Sequence, residues 1–108
     1  MAGELAALRS AGHEVGEWKD SEAPPFHARR CQAGTIDKID AQLCEYPSAD
    51  ALPLGRSAGD AWIGQAATGV VLQREQVLLM LADRNRVDPQ GKAIAKISRS
   101  FRRQPAKK

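Results

Sequence analysis

The sequence predicts an α+β domain: two antiparallel hairpins, joined in one four-stranded sheet, with about three helices packed on it. Three observations carry that expectation. Cys31 and Cys44 stand at mirror positions about Asp37-Lys38. The apolar runs Val70–Leu72 and Val77–Leu81 flank the polar segment 73–76. After Asp88-Pro89, the residues Ile94, Ile97 and Phe101 fall on one helical face. The 108 residues suit one domain, with 1–103 as its body and 104–108 as a basic polar tail. Hydrophobic residues make up 43% and charged residues 27%, which fits an ordinary globular chain and excludes a disordered one. The aromatics are only Trp18, Phe26, Tyr46, Trp62 and Phe101, so the core rests on aliphatic side chains.

Residues 4–11 are good helix formers with Leu5 and Leu8 on one face, and Gly12 is a natural C-cap because it tolerates positive φ. Residues 19–28, with Pro24-Pro25 and several charges, read as loop. The first hairpin pairs 29–36 with 39–46 about a two-residue turn at Asp37-Lys38, a weaker turn than Asp-Gly. Its pairs run Ile36/Ile39, Thr35/Asp40, Gly34/Ala41, Ala33/Gln42, Gln32/Leu43 and Cys31/Cys44. Ser48 is an expected N-cap of a short helix that Pro53 limits or bends. Residues 55–67, rich in Gly and Ala, read as a turn with a short strand. Val77–Leu81 is apolar on both faces, so it is expected as a central strand covered on both sides, or as a sheet face closed by a partner. Asp88 is the expected N-cap of a last helix from about Pro89 to Arg103.

In a hairpin with this turn the cysteines occupy a non-hydrogen-bonded pair, where side chains approach most closely. A Cys31–Cys44 disulfide would stabilise the fold by about 3 kcal/mol in the chain-entropy model. The alternative is a pair of reduced cysteines serving as small apolar residues. The register turns Ile36, Ile39, Ala41 and Leu43 away from the cysteines, towards the helices.

Catalytic and metal motifs are weak. Gly55-Arg-Ser57-Ala-Gly59 matches the G-x-S-x-G string of hydrolase nucleophile elbows, but no histidine follows residue 27 and the chain is too small for that fold. A Gly-rich turn explains the string better. His13, His27, Cys31 and Cys44 lack the close ligand pairs of a zinc site. Asp83–Asp88 lacks the glycine and the distal glutamate of a calcium loop, and helix capping accounts for it. Neither Glu14 with Glu17 nor Asp37 with Asp40 has a reason to be buried, as pKa tuning would need. No catalytic residue, metal ligand, cofactor or small-molecule substrate is expected, and the chain is not expected to be an enzyme.

The net charge of +3 hides an asymmetry. Residues 1–72 hold six basic and ten acidic side chains, whereas 73–108 hold ten basic and three acidic. Lys92, Lys96, Arg99 and Arg103 lie opposite the apolar stripe of the last helix, with Arg102 beside them. They are the candidate contact for a protein partner, an anionic membrane surface or nucleic acid. A solvated helix face carries the same pattern. Val77–Leu81 is the other surface expected to meet a partner.

Two segments carry a resemblance: Arg30-Cys31-Gln-Ala-Gly34-Thr-Ile36-Asp37 to Leu43-Cys44-Glu45-Tyr46, and Ala82-Asp83-Arg84 through Asp88-Pro89-Gln-Gly91-Lys92 to Phe101. Across 30–103 the chain resembles small secreted or lipid-anchored proteins of unknown function from myxobacteria and related bacteria. It departs from them at the turn, with Asp-Lys for Asp-Gly, and it shows no leader or lipid-anchor cysteine. The resemblance implies a disulfide and a periplasmic or secreted home, and it implies no activity. The expected function is a non-enzymatic extracytoplasmic interaction module or accessory subunit. The alternative is a small cytosolic nucleic-acid-binding protein that uses the basic last helix.

Overall fold

A computed structural model describes residues 2–103; the expected tail 104–108 lies outside the described residues. The chain forms helix α1 (Ala2–Ser10), strands β1 (Lys19–Ser21), β2 (Arg30–Ile36) and β3 (Ile39–Glu45), helix α2 (Leu52–Ile63), strands β4 (Gly69–Arg74) and β5 (Val77–Ala82), and helix α3 (Lys92–Arg102). One antiparallel sheet runs in the order β1-β2-β3-β5-β4. The class is α+β with three helices, as expected, and the sheet has a fifth strand. That strand, β1, lies at the edge of β2 in the segment read as loop, where three residues are too few to show an alternating pattern. The Pro24–Phe26 segment is a 3-10 turn.

The first hairpin has the expected register at every pair, including Cys31 opposite Cys44. Asp37 and Lys38 both adopt positive φ, 52° and 68°, the backbone of a type I′ turn that matches the strand twist. Asp37 also accepts a hydrogen bond at Oδ1 from the Glu14 amide, 2.9 Å, which anchors the turn. In the second hairpin Gln73 and Arg74 join β4, which leaves a two-residue turn at Glu75-Gln76.

Strand β5 is central and every one of its residues is buried. Val77, Leu79 and Leu81 face Ile39, Ala41 and Leu43, under Leu5 and Leu8 of α1 and Ile94, Ile97 and Phe101 of α3. Leu78 and Met80 face the opposite way, towards Phe26, Cys31, Cys44, Tyr46 and the α2 side chains Leu52, Ala58 and Trp62. Helices therefore cover both sheet faces, and the disulfide side is covered as well as the Ile36 side. Of the two readings of the apolar strand, the covered central strand holds. It is not available to a partner.

Residues 55–63, expected as turn or strand, are helical. Gly55 and Gly59 lie one turn apart on the buried side of α2. A Cβ on Gly55 would overlap the Tyr46 ring, 2.6 Å from Cε2, and one on Gly59 would lie 3.0 Å from Val71 Cγ2 and 3.1 Å from Met80 Cγ. Each helical glycine costs about 1 kcal/mol in propensity. The close approach of α2 to the sheet offsets that cost with buried contacts. Helix α3 begins at Lys92, three residues later than expected, because Asp88 caps it across an intervening turn: its carboxylate accepts from the Ala93 and Ile94 amides, each at 2.9 Å. Asp83 in turn accepts from the Val87 and Asp88 amides at 3.0 and 2.7 Å.

Candidate functional sites

The cysteines are joined, and their Cα atoms stand 4.1 Å apart in the narrow pair of the β2–β3 ladder. Both are essentially inaccessible, at 1% and 0% exposure. The bridge is packed between the sheet and the α2 layer, so it acts as a staple with no open sulfur chemistry. His27 is exposed, and with both sulfurs in the bridge no thiolate is left to complete a ligand set with it. Ser57 lies on the exposed side of α2, away from both histidines in sequence, and the G-x-S-x-G string is explained by its two packing glycines.

Tyr46 sits beside the staple and donates its hydroxyl hydrogen to the Phe26 carbonyl at 2.9 Å. Burial disfavours the phenolate and pushes its pKa up to about 12. The hydrogen bond ties the 3-10 turn of Pro24–Phe26 to the end of β3 beneath α2.

The cations Lys92, Lys96, Arg99, Arg102 and Arg103 are all exposed, while Ile94, Ile97 and Phe101 are buried beneath α3. The amphipathic split read from the sequence holds residue by residue. The ion pairs found among the described residues lie elsewhere, as Arg30–Asp20, Arg84–Asp40 and His13–Asp37. Arg84 is held at the far end of the sheet over the Trp62 ring, 4.3 Å from its centroid, and also donates to the Trp62 carbonyl. Beside it opens a cleft of about 420 Å³ lined by Trp62, Arg84, Arg86 and the backbone of 64–67. A second cleft, about 610 Å³, lies at the other end of β3, between Arg29, Glu45, Tyr46 and the Glu75 turn.

A further cluster joins three distant segments. Gly12, with φ of 95°, closes α1 in a Schellman motif: its amide donates to the Arg9 carbonyl at 3.0 Å and the His13 amide donates to the Leu8 carbonyl at 3.1 Å. That motif aims His13 at the β2–β3 turn and at the last turns of α3. His13 Nδ1 lies 2.8 Å from Asp37 Oδ2, and its Nε2 lies 2.8 Å from Ser100 Oγ. The carboxylate can only accept, so Nδ1 carries a proton, and in the neutral imidazole Nε2 then accepts from the serine hydroxyl. Sequence reasoning named His13 and Asp37 separately and passed over Ser100. The partners are 24 and 87 residues from His13, so no local spacing could join them.

Together the fold and these features define a class: a small disulfide-stapled domain with helices on both faces of an antiparallel sheet and one cationic outer helix. Comparison with family models, curated proteins and solved structures finds no match to this chain. Among the described residues no helix is long and apolar enough to cross a membrane.

Proposed function

We propose that the chain is a binding module of a non-reducing, extracytoplasmic compartment that docks through the cationic face of α3 onto an anionic surface. The observation that carries this reading is the exposed row Lys92, Lys96, Arg99, Arg103 with Arg102 beside it, on a helix whose other side is buried. The buried disulfide supports the compartment. From Lys92 to Arg103 the row spans about 16 Å at the helical rise, long enough to lie along a flat array of headgroups. Its exposed side carries no large apolar residue, so the contact is electrostatic and superficial. At about 1 kcal/mol per cation, five cations contribute about 5 kcal/mol, a dissociation constant on the order of 0.2 mM. That is a weak, reversible attachment, suited to a subunit that also has a protein neighbour.

Co-sedimentation with phosphatidylglycerol vesicles tests this. Binding is expected at low salt, release above a few hundred millimolar salt, and none to phosphatidylcholine vesicles. The double variant Lys96→Glu, Arg99→Glu should abolish it without altering the circular dichroism spectrum. Failure to bind anionic vesicles at low salt overturns the reading. Binding to random-sequence duplex in its place would move the assignment to nucleic acid.

A further inference from the structure

We propose that Ser100 is a nucleophile activated by His13 and oriented by Asp37, giving the domain acyl-transfer activity towards small esters that carry a negative charge. The hydrogen-bond chain has the required order: hydroxyl, imidazole, carboxylate, with both links at 2.8 Å. The carboxylate is itself fixed, because Asp37 Oδ1 accepts from the Glu14 amide at 2.9 Å and the Asp37 amide donates to the Glu14 carbonyl at 2.8 Å. The imidazole is shielded, at 9% side-chain exposure, while Ser100 is partly open to solvent. A serine next door shows the contrast. Ser98 Oγ donates to the Ile94 carbonyl of its own helix at 2.7 Å and has no base.

Two features of α3 suit the chemistry. Ser100 lies in its last turns, where the negative end of the helix dipole favours the imidazolium formed when His13 takes a proton. Lys96, four residues before Ser100, shares its helical face, and Arg103, three residues after it, is the residue that caps α3. In this proposal their positive charge offsets the negative end of the helix at the oxyanion and attracts an acidic group on the substrate.

In the proposed step the Ser100 hydroxyl oxygen attacks the ester carbonyl carbon as its proton passes to His13 Nε2. The carbon–oxygen bond to the leaving alcohol breaks, and that oxygen takes the proton from His13. Water then attacks the acyl-serine with His13 again as base, the proton returns to the serine oxygen, and a free acid leaves. The nucleophile does not depend on the membrane reading, whereas the preference for anionic esters rests on the same cationic face.

The full chain, oxidised, is treated with a fluorophosphonate probe, and separately with p-nitrophenyl hemisuccinate and p-nitrophenyl butyrate. One adduct per chain is expected, mapped to Ser100, absent in Ser100→Ala and unchanged in Ser98→Ala. His13→Gln should slow labelling by about 100-fold or more, the usual worth of a positioned base, in a variant whose circular dichroism spectrum matches the parent. If His13→Gln unfolds, Asp37→Asn takes its place and should slow labelling in the same direction. No adduct on Ser100, equal labelling of Ser98, or labelling indifferent to His13 and Asp37 would overturn the proposal and leave the cluster a structural clamp. The rate that depends on Ser100, taken as the parent minus Ser100→Ala, should be higher for the hemisuccinate than for the butyrate at low salt. Equal rates would remove the charge preference, and with it support for the cationic face, while leaving the nucleophile standing.

Discussion

Tyr46 shows how one buried polar group can be read in solution. It is the single tyrosine of the chain, so its phenolate absorbance reports it alone. Its folded pKa, about 12, lies above the ordinary value of 10.0, because burial opposes the charged form. The raised value fixes the sign: the stability it contributes is fully present below pH 10 and is lost as pH rises through about 12. Tyr46→Phe should cost about 1 kcal/mol at neutral pH by stranding the Phe26 carbonyl, and should flatten the alkaline loss of stability measured by urea denaturation. Gly55 gives a second test at this scale. Gly55→Ala pushes a methyl group into the Tyr46 ring and should destabilise by about 1–3 kcal/mol. Ser57→Ala, in the middle of the same string but exposed, should stay within about 0.5 kcal/mol of the parent.

Turns and caps govern the elements. Lys38 adopts φ of 68° without the freedom of glycine. Lys38→Gly should therefore stabilise the β2–β3 hairpin by about 0.5–1 kcal/mol, read as a higher urea midpoint with an unchanged slope. Asp88 accepts two amides of the first turn of α3 while itself held by Asp83. Asp88→Ala should cost about 1–3 kcal/mol, since it leaves two donors unpaired at a buried helix start. Hydrogen exchange should show the earliest loss of protection at Ala93 and Ile94.

For the whole molecule the staple matters most. It joins β2 to β3 at the end remote from their turn, under the layer that contains α2 and Tyr46. Its removal should cost about 3 kcal/mol in the chain-entropy model. Because both sulfurs are enclosed, a thiol reductant should reach them only when the α2 side opens. The folded protein should resist reduction that goes to completion within the urea transition, as intact mass after alkylation would show. The central position of β5 has a similar global effect. It joins two cores that share one strand, so unfolding should be a single transition when followed by both Trp18 and Trp62 fluorescence, which sit on opposite faces.

Local pattern alone determined a good deal of this protein. The cysteine pairing, the hairpin register, the two-sided strand Val77–Leu81 and the split faces of α3 all follow from periods of two and 3.6 residues, which neighbouring residues carry. Gly12 as a helix stop belongs with them. Tertiary structure decided the rest. Gly55 and Gly59 read as a turn because their value lies in what packs against them, and neither Tyr46 nor Met80 is near them in sequence. β1 is a strand only because β2 offers it an edge. The sheet carries helices on both faces because β5 has no polar side to leave in water. The chain from Ser100 through His13 to Asp37 spans nearly the whole sequence, and only folding brings these residues together. Periodicity is a property of neighbours along the chain, whereas a site is a property of neighbours in space.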